Sequence, residues 1–417
     1  MRVLLISHEC QSPGEYRVKA DHLIEHGIDL RILVPHRWKH IGRWRQPAEM
    51  SGTSKHFQVG RVRWPWMGPA ASHLHHYPNL ATELLNFRPD IIDLWEEPWG
   101  LVSAHACWLR RRVLPTAKII SETEYNIDGE LPFPFERFRR FTLRCSDFLI
   151  GRSSDALRIA KSKGYDGPGA VVPSAIDDSI FRPMDRAACR AALGLEGYLV
   201  GYTGRIVPEK GLLDLLNALP QCPSDVKLVI VGRGRFKPAL KRRAKDLRVL
   251  DRVIFLPHQP PENLARLING FDLVALPSRG KPHWREQFGR SILEAHACGI
   301  PVIGTDCGAI PDLIGSAGLT SPEGHPPGLA KNIRMLHDNP DVAAEMGQRG
   351  REQVIRDQTW DRIAQRMKDI YLELKDAKTE TTAVQETEEA KRARRRARRM
   401  GRSLRTEWVV DEEPWAM

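Results

Sequence analysis

The residues best suited to chemistry are Glu286 and Glu294, with Gly289 between them, in the stretch Glu286-Gln-Phe288-Gly289-Arg290-Ser-Ile-Leu-Glu294. It reads as a turn entering an amphipathic helix. Gly289 lets backbone approach a ligand closely, and the helix start behind it offers unpaired amide hydrogens and a positive dipole end to a diphosphate. Glu286 precedes the helix and Glu294 lies about one and a half turns inside it. Carboxylates only accept hydrogen bonds, so this pair can meet hydroxyls at opposite ends of one extended ligand. A molecule with a diphosphate between two sets of hydroxyls satisfies all three features. Two glutamates spaced this way on a helix also occur as a plain solvated face, so the flanking sequence has to decide.

Upstream, Val200-Gly-Tyr-Thr-Gly204-Arg205-Ile-Val-Pro-Glu209-Lys210-Gly211 reads as a buried strand, a glycine turn and a helix start. Leu212, Leu213, Leu215, Leu216 and Leu219 then recur at helical spacing and mark a buried face. Arg205 and Lys210 therefore bracket a loop at a strand's C-terminal end, where open parallel sheets bind ligands. Two cations there suit two phosphates, although a single Arg or Lys in a surface turn is more often merely solvated.

Together with Val231-Gly232-Arg233-Gly234, Leu276-Pro277-Ser278 and Ala297-Cys-Gly-Ile-Pro301-Val-Ile-Gly304, these segments resemble the retaining glycosyltransferases of family 4, also called glycosyl transferases group 1. The likeness covers roughly residues 198 to 350, with the motifs in family order. It implies the GT-B fold: α/β, with two Rossmann-like parallel-sheet domains facing each other across a cleft and a C-terminal helix crossing back. It further implies that Gly204, Arg205, Lys210, Gly232, Phe288, Gly289 and Glu294 bind the donor. Arg205, Lys210 and Glu286 would carry catalysis, with Glu286 on a hydroxyl of the transferred sugar and Glu294 on the ribose.

Length and pattern agree. The 417 residues suffice for two domains plus an appendage, and 41% hydrophobic content can fill both cores. Apolar strand-like runs recur at 3–6, 30–34, 91–94 and 118–120, then at 199–202, 228–231, 253–256, 273–276 and 302–304, separated by helical patterns. The segment Pro173 to Pro183 reads as a hinge. The expected division is 1–176 for an acceptor-side domain, 184–355 for a nucleotide-sugar domain, 356–375 for a helix packing back on the first domain, and 376–417 for a charged, disordered tail. The seven cysteines lack paired zinc spacing and read as buried thiols. No apolar run reads as a signal peptide or a membrane span, so a cytoplasmic location is expected.

The first half departs from the family. Many members have a double-glycine loop after the first strand and a histidine after the fourth. Here Gly14 stands alone, and Ser121-Glu122-Thr-Glu124-Tyr-Asn126 replaces the histidine segment. Gly14, Glu97, Glu124 and Asn126 are the acceptor-side candidates, each with a structural alternative at a strand end. His8 and the cluster His73, His75, His76 can also face the cleft, but the cluster reads as a plain loop without metal-site spacing. No metal or cofactor is expected, the nucleotide-sugar being a substrate. Retaining transfer does not strictly need a histidine base, because a departing phosphate oxygen can take the acceptor's proton.

The net charge is +11, and Lys391 to Arg405 holds nine basic residues and no acidic one. Arginine and tryptophan also mix at Arg37-Trp38-Lys39, Arg43-Trp44-Arg45 and Arg61-Val-Arg63-Trp64-Pro-Trp66. These suggest peripheral contact with an anionic membrane, beside the plainer reading of core tryptophans. Two rival classes stay open: a sugar-nucleotide epimerase of related fold, and a nucleic-acid-binding protein using the arginine block. The motif set argues against the first. The absence of a recognised nucleic-acid module argues against the second.

Overall fold

A computed structural model describes residues 1–11, 15–40, 43–45, 56–63, 73–194 and 196–381. Gly14, Trp64, Trp66 and the arginine block of the tail lie outside them. The first sheet contains β1 (Arg2–Ile6) and β2 (Asp29–Pro35), after which comes a short antiparallel ribbon, β3 (Trp38–His40) and β4 (Arg43–Arg45). It continues with β5 (Phe57–Gly60), β6 (Ile91–Leu94), β7 (Lys118–Thr123), β8 (Phe148–Gly151) and β9 (Gly169–Val171). The spatial order is β5-β2-β1-β6-β7-β8-β9, all parallel.

The second sheet, also parallel, is built from β10 (Tyr198–Thr203), β11 (Val226–Val231), β12 (Val253–Leu256), β13 (Leu273–Leu276), β14 (Val302–Thr305) and β15 (Gly318–Ser321). Its order is β12-β11-β10-β13-β14-β15. Val3, Leu4, Leu5 and Ile6 are all fully buried, as are Leu273 and Val274. Helices cover both faces of each sheet, which is why these strands are continuously apolar instead of alternating. Strand order reverses between β1 and β6 in one sheet and between β10 and β13 in the other. Each reversal opens a crevice at the C-terminal strand edge.

The hinge segment and the chain's return run side by side. Ile176 N donates to Gln358 O at 2.9 Å, and Ile176 forms a parallel bridge with Thr359. The helix Pro340–Asp357 packs on the second domain, so the returning helix begins at Trp360, later than the expected 356, and continues to Thr381, past 375. Trp360, Ile363, Ala364, Met367, Ile370, Tyr371 and Leu374, at helical spacing, complete the first domain's core beside Val3, Leu5 and Ile32. All seven cysteines are buried free thiols. Among the described residues, no helix is long and apolar enough to cross a membrane.

A buried polar chain fixes that helix. Tyr371 donates its hydroxyl to Asp93 Oδ2 at 2.5 Å, and Trp95 Nε1 donates to the same oxygen at 2.9 Å. Lys19 lies 3.8 Å over the Trp95 ring and pairs with Glu122 at 2.6 Å. Burial, reinforced by the Glu122 charge, pushes Asp93 up to about 7. A carboxyl raised on folding gives stability that is full below its unfolded value and falls as pH rises through about 7. Tyr371→Phe should therefore cost about 1–3 kcal/mol by removing a hydrogen bond to a buried acid. Asp93→Asn should flatten that limb of the stability–pH curve. Denaturant melts from pH 5 to 8 check both, and an unchanged Tyr371→Phe midpoint would contradict the assignment.

Candidate functional site

A cleft cavity of about 680 Å³ opens at the C-terminal edge of the second sheet, at its strand-order reversal. Thr203, Gly204, Arg205 and Lys210 line it from the loop after β10, His258 and Gln259 from the loop after β12, and Trp284 to Ser291 with Glu294 from the segment after β13. Of the expected donor residues, Gly204, Arg205, Lys210, Glu286, Phe288, Gly289 and Glu294 all line this one cavity. Gly232 does not. Its φ is +149°, and a Cβ there would sit 1.9 Å from the Gly204 carbonyl oxygen. Gly232 therefore acts from behind, letting the β10 loop lie flat against the start of the next one.

Each loop is held by its own bonds. Tyr202 donates its hydroxyl to Arg205 O at 2.6 Å, which fixes the turn while the Arg205 side chain stays exposed. Gly289, at φ +49°, is the left-handed residue before the helix Arg290–Ala297, so the chain turns sharply and presents that helix's start to the cavity. Glu294, buried, accepts from Thr203 Oγ1 at 3.4 Å.

Glu286 is the most heavily restrained. Its Oε2 accepts from Lys210 Nζ at 2.5 Å and from Ser278 Oγ at 2.7 Å, while its main-chain carbonyl accepts from Ala309 N at 2.9 Å and Asn126 Nδ2 at 2.8 Å. Lys210 and Glu286, expected to serve different parts of a ligand, are thus paired to each other here. The ammonium has two further protons to donate, and Oε1 makes no hydrogen bond among the described residues. Lys210 also lies 5.3 Å from the Trp284 ring. Nothing in the sequence pattern singled out Trp284, and Thr203 stood within the quoted Val200–Gly211 segment with no role assigned to it. Ser278 stood within a quoted motif, with no role assigned to it.

Opposite, a smaller cavity of about 80 Å³ sits at the strand-order reversal of the first sheet, lined by His8, Glu9, Trp95, Glu96, Glu97, Glu122 and Glu124. Glu97 and Glu124 fall here as acceptor-side candidates, whereas Asn126 is turned to the second domain. Burial and the neighbouring Glu124 push Glu97 up to about 7, although Glu124 N and Thr123 Oγ1 each donate to it at 2.8 Å. Burial would lower His8, but the carboxylates of Glu96, 2.7 Å away, and Glu9, 3.2 Å away, override it and raise the imidazole to about 10. His8 is therefore a cation at neutral pH and no base. His75 is buried edge-on to Trp38 and Tyr77, and His73 lies 4.3 Å from the Trp99 ring, so these two histidines serve packing. Among the described residues, no group of three or more His, Cys, Asp or Glu is placed to hold a metal ion.

Residues 187–353 match the family model for glycosyl transferases group 1. The second domain belongs to that family. Curated relatives of this group 1 domain include D-inositol 3-phosphate glycosyltransferases of Segniliparus rotundus, 39% identical over 150 residues (34% of this chain, 32% of that protein), and of Mycobacterium leprae, 41% over 143 residues (33% and 32%). The chain thus matches about a third of those relatives' length. Among solved structures, sucrose-phosphate synthase of Thermosynechococcus elongatus superposes with a TM-score of 0.70 at 21% identity, covering 90% of this chain and 99% of that one. HepE of Anabaena, in complex with UDP and glucose, gives 0.66 at 20%, covering 89% and 99%. These two extend the fold likeness across both domains, and the architecture is GT-B.

Gly232→Ala tests how the group 1 domain supports its loops. The added methyl meets backbone, not a yielding side chain, so it should cost about 1–3 kcal/mol and displace the Gly204 turn. A melting curve together with nucleotide binding measures this, and full retention of both would show that the loop yields freely.

Proposed function

We propose that the chain is a retaining glycosyltransferase that moves a sugar from a nucleotide-sugar donor to an acceptor hydroxyl. The observation that carries this is the gathering of Arg205, Lys210, the Gly289-led helix start, Glu286 and Glu294 around one cavity of the group 1 domain. Two cations and helix-end amides suit a diphosphate, and two separated carboxylates suit hydroxyls on either side of it. In the reaction the acceptor oxygen bonds to the anomeric carbon on the face from which the diphosphate leaves. The acceptor's proton passes to the departing phosphate oxygen, releasing nucleoside diphosphate. Arg205 and Lys210 stabilise the charge that grows there. Glu286, anchored by Lys210 and Ser278, holds a sugar hydroxyl, and Glu294 holds the ribose.

The acceptor enters from the first domain, beside Glu97 and Glu124. A phosphate-bearing acceptor, such as the name of the curated relatives contains, fits poorly there, because five glutamates line the small cavity. Neutral hydroxyl groups fit better. UDP and UDP-glucose are the first probes, followed by other sugar nucleotides in a thermal-shift screen. The absence of any shift and of donor turnover would sink this reading.

Lys210→Ala or Arg205→Ala should each remove about 2–4 kcal/mol of transition-state stabilisation. Glu294→Gln should weaken free nucleoside diphosphate and sugar nucleotide alike, whereas Glu286→Gln should weaken only the sugar-dependent part. Steady-state kinetics and calorimetry separate these, and equal damage to both ligands from both variants would undo the division. Ionised Glu97 orients the acceptor hydroxyl, so turnover should rise with pH through about 7. Glu97→Gln should abolish that rise and lower kcat/KM on the order of 10- to 100-fold. The pH–rate profile decides, and an unaltered limb would remove Glu97 from the role.

A further inference from the structure

The two cavities are joined by hydrogen bonds between residues far apart in sequence. Asn126, 1% exposed, reaches from the segment after β7 to donate Nδ2 to the Glu286 carbonyl at 2.8 Å. In return, Gln287 donates Nε2 to the Glu124 carbonyl at 3.1 Å. A carbonyl can only accept, so the Asn126 amide cannot be turned over, and among the described residues its buried Oδ1 has no hydrogen-bond partner. An unsatisfied buried acceptor is a real cost, and an apolar side chain of the same size would avoid it. What the amide gives in exchange is the one bond it makes to Glu286. That bond acts on the residue whose side chain holds Lys210.

We propose that Asn126 and Gln287 form a cross-domain clamp, in which Asn126 is a positioning residue for the donor site. It acts through the Glu286 main chain and makes productive geometry of the Glu286 carboxylate depend on approach of the first domain. This rests on the glycosyltransferase reading for its consequence, though not for its existence. The nucleotide end of the cavity, with Glu294 and Thr203, is built wholly within the second domain and does not need the clamp. The sugar end, at Glu286, does. Donor sugar is thus held for transfer only when the acceptor-bearing domain is in place, which limits loss of the sugar to water while the domains stand apart.

Asn126→Asp is the sharpest variant, since it keeps the shape and replaces an N–H donor by an oxygen facing an oxygen. Gln287→Ala breaks the reciprocal bond from a half-buried position, which guards against a folding defect at Asn126. Full-length wild type and both variants are compared for calorimetric affinity to UDP and UDP-glucose, for kcat and KM, and for amide hydrogen exchange at 286–290. The expected result is UDP affinity within about twofold of wild type, at least a fivefold loss of the additional affinity or kcat that the sugar confers, and faster exchange at 286–290. Equal losses for UDP and UDP-glucose, or no change in either, would overturn the clamp. If wild type binds neither nucleotide, the functional reading fails, and exchange alone judges the clamp: unchanged protection at 286–290 in both variants refutes it.

Discussion

The carboxylate and carbonyl of one residue, Glu286, are the point on which the site depends. The side chain fixes Lys210 and Ser278, while the main chain is gripped by Ala309 from the same domain and by Asn126 from the other. Pairing a carboxylate and an ammonium away from water is expensive unless further bonds satisfy both. Here Ser278 supplies one, and the cavity leaves the remaining valences for a ligand. On the proposed reading, the ion pair is a preorganised pair of ligand contacts more than a source of stability. In the proposed donor complex, a diphosphate would take up the free ammonium protons and a sugar hydroxyl the free carboxylate oxygen, with little rearrangement of either side chain.

Both cavities arise from the same topological rule applied twice. In each sheet the order reverses beside the first strand, leaving a crevice into which the loops after that strand and its new neighbour project. The two crevices differ in charge. The second domain brings Arg205, Lys210 and Arg290 to its crevice, and the first brings five glutamates partly offset by cationic His8 and by Lys19 on Glu122. On the proposed reading, that difference would favour the donor's diphosphate at the second domain's wall and a neutral acceptor at the first's.

How much of this is readable in the sequence depends on how local each feature is. The nine strands expected from apolar runs are present, three with the same ends and the rest within three residues, because buried parallel strands are rich in Val, Ile and Leu. The strands β5, β9 and β15 escape that test. They are three or four residues long, lie at sheet edges, and contain glycine or polar residues such as Gln58 and Thr320. β8 is a four-residue run, Phe-Leu-Ile-Gly, too short for its period to separate strand from helix. That Arg205, Lys210, Glu286 and Glu294 gather at one sheet edge is legible because short motifs after β10 and β13 carry them. The His8–Glu96 pair and the Asn126–Glu286 bond join residues 88 and 160 positions apart, and neither leaves a local pattern.

The returning helix has a consequence for the order in which the chain matures. Seven core side chains of the first domain, from Trp360 to Leu374, are the last of the described core to leave the ribosome, after the whole second domain. Until they arrive, the cluster around Val3, Leu5 and Ile32 lacks those seven side chains, and Asp93 lacks the Tyr371 hydroxyl. The domain synthesised first is therefore the domain completed last. Translation must carry that incomplete core until residues 360–374 emerge, so its completion registers that the second domain has been synthesised.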